Sequence, residues 1–323
     1  MNSLSKLEKE ELSQVMEKAQ KETIDKQVSY GIDVITDGEI YRDTYVFHFL
    51  RHCENVDFSN AETITYRNGA CQGVLPLITG PVKVKEDKVG FVADIWENCQ
   101  KLTDTSVKVT MPGPMTITNT TGRRYFETEK ESCLNLAECL KTEISELVKR
   151  GCKFIQIDEP LFARKPSEAL DYGIEILSSV LKTMPEDVFS TVHICCGYSD
   201  LLDQTDFQKA NPEAYTILAE KLDKMGASAI SIEGAHCDLD LEVLSRYKDT
   251  RIMLGVIAVC KSAVESVSFI KERIREALNY MPGDRLILAP DCGLGLLPED
   301  SLHQKLSNMM QAVRELREEL YNL

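Results

Sequence analysis

At 323 residues, with 43% apolar and 28% charged side chains, the chain is long enough to bury a substantial core. Its 52 acidic against 37 basic residues leave a net charge of −15, which argues against nucleic acid or an anionic membrane as a main partner. Eleven scattered cysteines lack the spacing of a secreted disulfide framework, and no leader segment or apolar run of ~20 residues is evident, so a cytoplasmic protein with free thiols is expected.

In chain order, residues 3–29 are expected to be helical, from Leu4, Leu7, Leu12, Val15, Ala19, Ile24 and Val28 at spacings of three to five. Gly31 ends that helix, and residues 32–36 read as a strand running into Asp37-Gly38-Glu39. Residues 51–100 lack clean alternation and read as an excursion, with a small β-piece at 75–79 and a helix near 91–102. A regular pattern then sets in, with strands at 106–110, 153–157, 190–194, 229–232, 251–259 and 285–289. Helices are expected between and after them at 129–150, 167–184, 212–225, 238–247, 264–280 and 301–321.

Alternating strands and helices predict right-handed βαβ units and a parallel sheet. Most of the strands end in polar or reactive residues. That is the arrangement of a (β/α)8 TIM barrel, whose active site gathers at the strand C-termini. The whole chain, 1–323, reads as one catalytic barrel domain. A doubly wound open sheet is the alternative, but no glycine-rich phosphate or dinucleotide turn supports it.

One strand end carries the chemistry. In Thr191-Val192-His193-Ile194-Cys195-Cys196-Gly197, strand alternation points His193 and Cys195 the same way and turns Cys196 away. Cys292, in Pro290-Asp291-Cys292-Gly293, and Glu233, in Ser231-Ile232-Glu233-Gly234, close two further strands, and in a barrel all of these ends face one cavity. Two thiols and an imidazole select zinc over magnesium or calcium, and a carboxylate completes a tetrahedron. Two thiolates and a carboxylate leave such a centre anionic: a poor Lewis acid for carbonyls, but suited to holding a substrate thiol as a thiolate.

Asp37-Gly38-Glu39, Gly113-Pro114, Gln156-Ile157-Asp158-Glu159-Pro160, His193-x-Cys195, Ile232-Glu233 and Pro290-Asp291-Cys292-Gly293-Leu294 occur in the order seen in a known family. From about residue 25 to 300 the chain resembles the catalytic barrel of cobalamin-independent methionine synthase and its short relatives, including zinc-dependent alkyl transferases acting on coenzyme M. The resemblance implies zinc held by His193, Cys195, Glu233 and Cys292. It also implies Glu39 and Asp158 as the acids lining the thiol pocket. Gln156 shares a strand face with Asp158, and Arg42, three residues after Glu39, either neutralises it or meets a substrate anion. Asp291 is a candidate to orient a metal ligand, and Glu159 a loop or supporting residue.

The chain departs from the family in three places. No first barrel strand with a Gly-Ser end is evident. The segment Gly255–Lys261 lacks the acid and histidine of a proton-handling pair, and the whole chain reads as one barrel without the additional N-terminal half that the long synthases use with folate; Met115–Thr120 also lacks tryptophan. The expected function is a zinc-dependent thiol S-alkyltransferase, foremost methyl transfer to a thiol such as homocysteine. The substrates are a small-molecule thiol and an alkyl donor, and the protein a monomer or homo-oligomer. The alternatives are alkyl transfer to, or lyase release from, a thiol such as coenzyme M; a barrel of the uroporphyrinogen decarboxylase type; and a zinc-binding barrel that has lost turnover.

Overall fold

The computed structural model describes residues 9–66, 69 and 71–321. Helix α1 (Lys9–Ser29) leads to β1 (Val34–Thr36), α2 (Tyr45–Arg51), β2 (Cys53–Tyr66), β3 (Cys71–Val84) and α3 (Phe91–Gln100). Then come β4 (Ser106–Pro112), α4 (Pro114–Asn119), β5 (Gly122–Arg123), α5 (Glu129–Lys149), β6 (Phe154–Asp158), α6 (Leu161–Arg164), α7 (Pro166–Glu168) and α8 (Ile174–Leu181). The last part comprises β7 (Phe189–Ile194), α9 (Glu213–Asp223), β8 (Ala229–Ile232), β9 (Arg251–Ile257), α10 (Val267–Leu278), β10 (Leu286–Pro290) and α11 (Glu299–Tyr321). The start of the expected first helix, with Leu4 and Leu7, lies outside the described residues.

Seven strands pair in parallel in the order β1-β4-β6-β7-β8-β9-β10. This is chain order without a reversal, the order of a barrel and not of a doubly wound sheet. Val107, Val109, Ile155, Ile157, Val192, Ile194, Ile230, Ile232, Ile252 and Leu254 fill alternate positions and are buried. Each such side chain stabilises the fold by about 1.5–3 kcal/mol on burial. The opposite face carries Thr110, Gln156, Asp158, His193 and Ser231, so alternation separates the core from the chemistry.

Among the described residues β1 and β10 are not paired, as expected of a barrel without its first strand. All five residues of β10 are half-buried, as befits an edge. Side chains of the outer layer bridge the gap: Lys26 to Glu299 at 2.5 Å, Tyr30 Oη to His303 Nδ1 at 2.9 Å, and Arg317 to Asp33 at 2.9 Å. These surface pairs fix direction more than stability, because water and salt screen them.

Two expectations change. The 51–100 excursion is mostly a long antiparallel hairpin, β2 on β3, joined in parallel by β5. Its pairing slips between Glu54 and Val56 and between Asp57 and Glu62; each slip resets the alternation that would mark a strand. Residues 238–247 form a 3-10 helix at Leu241–Arg246 in place of an α-helix.

A buried carboxylate pins the far end of one βα unit. Asp223, at the end of α9, accepts from the backbone N–H of Lys248, Asp249 and Thr250 at 2.9, 3.0 and 2.9 Å. Burial opposes its ionisation, but these donors outweigh that and hold the carboxyl below its usual range. The depressed value places its contribution above the unfolded value of ~3.9 and removes it as pH falls through the folded value. Asp223→Ala is therefore expected to cost about 3 kcal/mol at neutral pH. Urea midpoints measured from pH 7 down to 2 should converge with wild type at the acid end.

Candidate functional site

Backbone hydrogen bonds tie the strand ends that hold the candidate residues. Gly113 N–H donates to Asp158 O at 2.8 Å, Glu159 N–H to His193 O at 2.8 Å, and Asp291 N–H to Ile257 O at 3.1 Å. In register, Asp158 lies opposite His193 and His193 opposite Ser231. The ligating atoms of His193, Cys195 and Cys292 lie within 4.8 Å of one another. His193 on β7 and Cys195, just past the end of that strand, are buried, and Cys292 is half-buried.

His193 Nδ1 is 3.0 Å from Ser231 Oγ, and His193 Nε2 is buried without a hydrogen-bond partner. A buried unpaired nitrogen is costly, and beside two thiols it is the donor a metal would satisfy. The closeness of the two thiols holds Cys195 well below the ordinary thiol range and pushes Cys292 above it. Cys196 points into the core and contacts Tyr215 Oη at 3.7 Å, as alternation predicts.

Glu233 stands outside this trio. It is fully buried, with Oε2 2.7 Å from Lys209 Nζ and Oε1 unpaired. Burial opposes its ionisation, yet Lys209 holds the carboxyl below its usual range. Lys209 also lies over the Tyr198 ring, 4.1 Å from its centroid. Neither residue is legible from spacing, because the connection between β7 and α9 has no periodicity. Ser231 was legible, two positions before Glu233 on the same strand face.

The candidate substrate acids form a second group. Gly38 and Glu39 both take positive φ, at 68° and 56°. A Cβ on Gly38 would sit 2.6 Å from Thr23 Cγ2, so only glycine fits. The left-handed Glu39 is held by its own contacts. Its backbone N–H donates to Asp37 Oδ1 at 3.0 Å, and its Oε1 accepts from Thr110 Oγ1 at 2.9 Å and from Arg42 at 3.2 Å. Arg42 also pairs with Asp37 at 2.9 Å; it is a neutralising residue within the site.

Asp158 Oδ1 accepts from Gln156 Nε2 at 2.7 Å, and Gln156 Oε1 accepts from Lys108 Nζ at 2.6 Å. Burial pushes the Asp158 carboxyl up to about 6. Burial also lowers the Lys108 ammonium, opposed by Asp158 and Cys292. The inward lysine was visible in the alternation of β4 but is not among the sequence candidates.

Two acids support the strand ends. Glu159 accepts from Met115 N–H, Thr116 N–H and Thr116 Oγ1 at 2.8, 2.9 and 2.8 Å. Burial pushes it up to about 7 against those donors. Asp291 accepts from Gly234, Ala235 and His236 N–H at 2.9, 3.0 and 2.7 Å, tying the ends that carry Glu233 and Cys292. A Cβ on Gly255 would stand 1.9 Å from Asp291 Oδ1, so that glycine makes room for the staple. Glu159→Ala leaves two buried N–H groups unpaired, with an expected loss of about 3 kcal/mol in denaturant unfolding.

A family model described as the catalytic domain of cobalamin-independent synthase matches residues 2–315. Methionine synthases of Sulfolobus acidocaldarius and Pyrococcus furiosus are 29% and 27% identical, over 99% of this chain and 87% and 88% of theirs. A B12-independent methionine synthase from Shewanella sp. W3-18-1, solved with selenomethionine, superposes with a TM-score of 0.88 at 28% identity. That match covers 98% of this chain and 92% of the other. A methyltransferase from Methanosarcina mazei shares the fold, with a TM-score of 0.63 at 15% identity over 93% of this chain and 86% of the other.

Proposed function

This chain belongs to the cobalamin-independent synthase family through its catalytic domain, and on that premise we propose that it is a zinc-dependent thiol S-methyltransferase acting on homocysteine. The observation that carries the reading is the trio His193, Cys195 and Cys292, with converging donors and a buried, unpaired imidazole nitrogen. Cys195, Cys292 and His193 would hold zinc, with Glu233 as a fourth donor. When bound, zinc keeps a substrate thiol ionised at neutral pH.

The protein's own groups supply the rest. Ser231 fixes the His193 ring, leaving Nε2 for the metal. Asp158 and Glu39 receive the substrate ammonium, Gln156 sets the Asp158 carboxylate, and Arg42 with Thr110 holds Glu39. Asp158, half-buried at the end of β6, would bind a cationic group without the reorganisation that water would need. Residues 1–323 would act as one catalytic domain. Its ten described cysteines are free and no helix of the described residues is long and apolar enough to cross a membrane, which suits work in the cytoplasm.

A second reading, an anionic thiol such as coenzyme M, is favoured by one observation: the Lys108 ammonium beside Gln156. Arg42 gives it no help, being paired with Asp37 and Glu39.

Metal analysis of freshly purified protein, followed by calorimetry with homocysteine and with coenzyme M, tests the reading. One zinc per chain and zinc-dependent homocysteine binding are expected, with methionine formed when a methyl donor is added. Zinc below about half an equivalent would sink the reading, and preference for coenzyme M would replace homocysteine with the second thiol.

A further inference from the structure

We propose that Lys209 is the alternative partner of Glu233: it takes the carboxylate off the metal, making Glu233 a displaceable ligand whose position a thiol can occupy. The inference rests on the metal reading above and concerns how that site admits its substrate.

Glu233 ends a strand beside the trio, yet its carboxylate meets Lys209 at 2.7 Å, with the acid fully buried and the lysine side chain 21% exposed. A buried carboxylate needs a cation, because an uncompensated charge in the interior is strongly destabilising. Here the connection between β7 and α9 delivers one other than the metal, and the fold has built a seat for it. The Tyr198 ring lies under the ammonium, 4.1 Å from centroid to Nζ, and His236 packs edge-on against that ring at 5.3 Å. The connection is itself fixed, since Ala210 N–H donates to Cys196 O at 2.8 Å and Arg164 donates to Cys196 O and Gln208 O at 3.3 and 3.0 Å. Lys209 is therefore held near Glu233 by backbone that begins at the Cys195-Cys196 strand end.

Charge explains the consequence. Zinc with two thiolates and an imidazole is neutral, so an incoming thiolate meets no net repulsion. With the carboxylate also bound the centre carries −1, and the thiolate must join an anion. Lys209 removes that penalty by keeping the carboxylate neutralised within reach of the metal. Glu233 uses its two oxygens accordingly: Oε2 is on Lys209, and Oε1 is buried without a partner.

Lys209→Met, Lys209→Arg, Glu233→Gln and the Lys209→Met/Glu233→Gln double variant separate this role from simple packing. Zinc affinity is read by competition with a chromophoric chelator, and homocysteine binding to the zinc-loaded protein by calorimetry. In Lys209→Met zinc is expected to bind about tenfold tighter and homocysteine about tenfold more weakly, because the metal becomes the carboxylate's only cation. Lys209→Arg should retain wild-type values, and in the Glu233→Gln background the methionine substitution should change neither affinity. Unchanged or weaker zinc binding in Lys209→Met, or an equal shift in both backgrounds, overturns the proposal. Wild-type protein that takes up less than about half an equivalent of zinc overturns the metal reading as well, whereas one zinc per chain with no Lys209 effect overturns this inference alone.

Discussion

Cys292→Ala is expected to remain folded, to bind zinc about a hundredfold more weakly, and to lose methyl transfer. Structural zinc binds four-donor sites with about 10–16 kcal/mol, so one thiolate accounts for about 3 kcal/mol or two orders of magnitude. Cys292 is half-buried after the last barrel strand, and the barrel core is built without it, so circular dichroism should stay that of wild type. Cys196→Ala is the matched control. Its side chain is fully buried on the opposite strand face, against Tyr215, and it should cost about 1 kcal/mol of stability while leaving zinc affinity unchanged. Zinc retained in the Cys292 variant, or lost in the Cys196 variant, would contradict the ligand assignment. If the Cys292 variant unfolds as zinc leaves, the metal is a structural prop and the active-site reading fails.

That contrast rests on period-2 alternation, the part of the site most legible from sequence. His193 and Cys195 alternate with buried Val192 and Ile194, so one face is committed to the core and the other to the cavity. The same rule found the seven barrel strands, whose outward residues run apolar against helices. It failed in the hairpin, where shifts in register break the period and only Cys53 of β2 is fully buried. It also could not find Lys209. That residue acts through a loop whose course is set by backbone contacts to Cys196 and Gln208, and loop courses leave no periodic trace. Glu233 shows the boundary between the two cases: alternation put it at the correct strand end, but which cation holds its carboxylate depends on that loop. Arg42 was legible as a neighbour of Glu39, whereas its stronger tie to Asp37 depends on the left-handed turn at Gly38 and Glu39.

The acids at the other end of the site predict a split between substrates. Asp158→Asn is expected to raise KM for homocysteine on the order of a hundredfold and to leave zinc content unchanged. Removing one partner of a buried charge pair costs about 2–5 kcal/mol, and ~3 kcal/mol corresponds to that factor. Glu39→Gln should have the smaller effect, about tenfold or less. Its side chain is 43% exposed and already shares Arg42, so water and the guanidinium both dilute its attraction for an ammonium. Both effects should vanish with 4-mercaptobutanoate, a thiol of similar length that lacks the ammonium. An Asp158→Asn variant that binds both thiols equally poorly would mean that the carboxylate positions neighbouring groups and does not read the amine. Each acid has one oxygen engaged, Asp158 Oδ1 by Gln156 and Glu39 Oε1 by Thr110 and Arg42, so the ranking follows from the exposure of Glu39 and from the Arg42 charge it already shares.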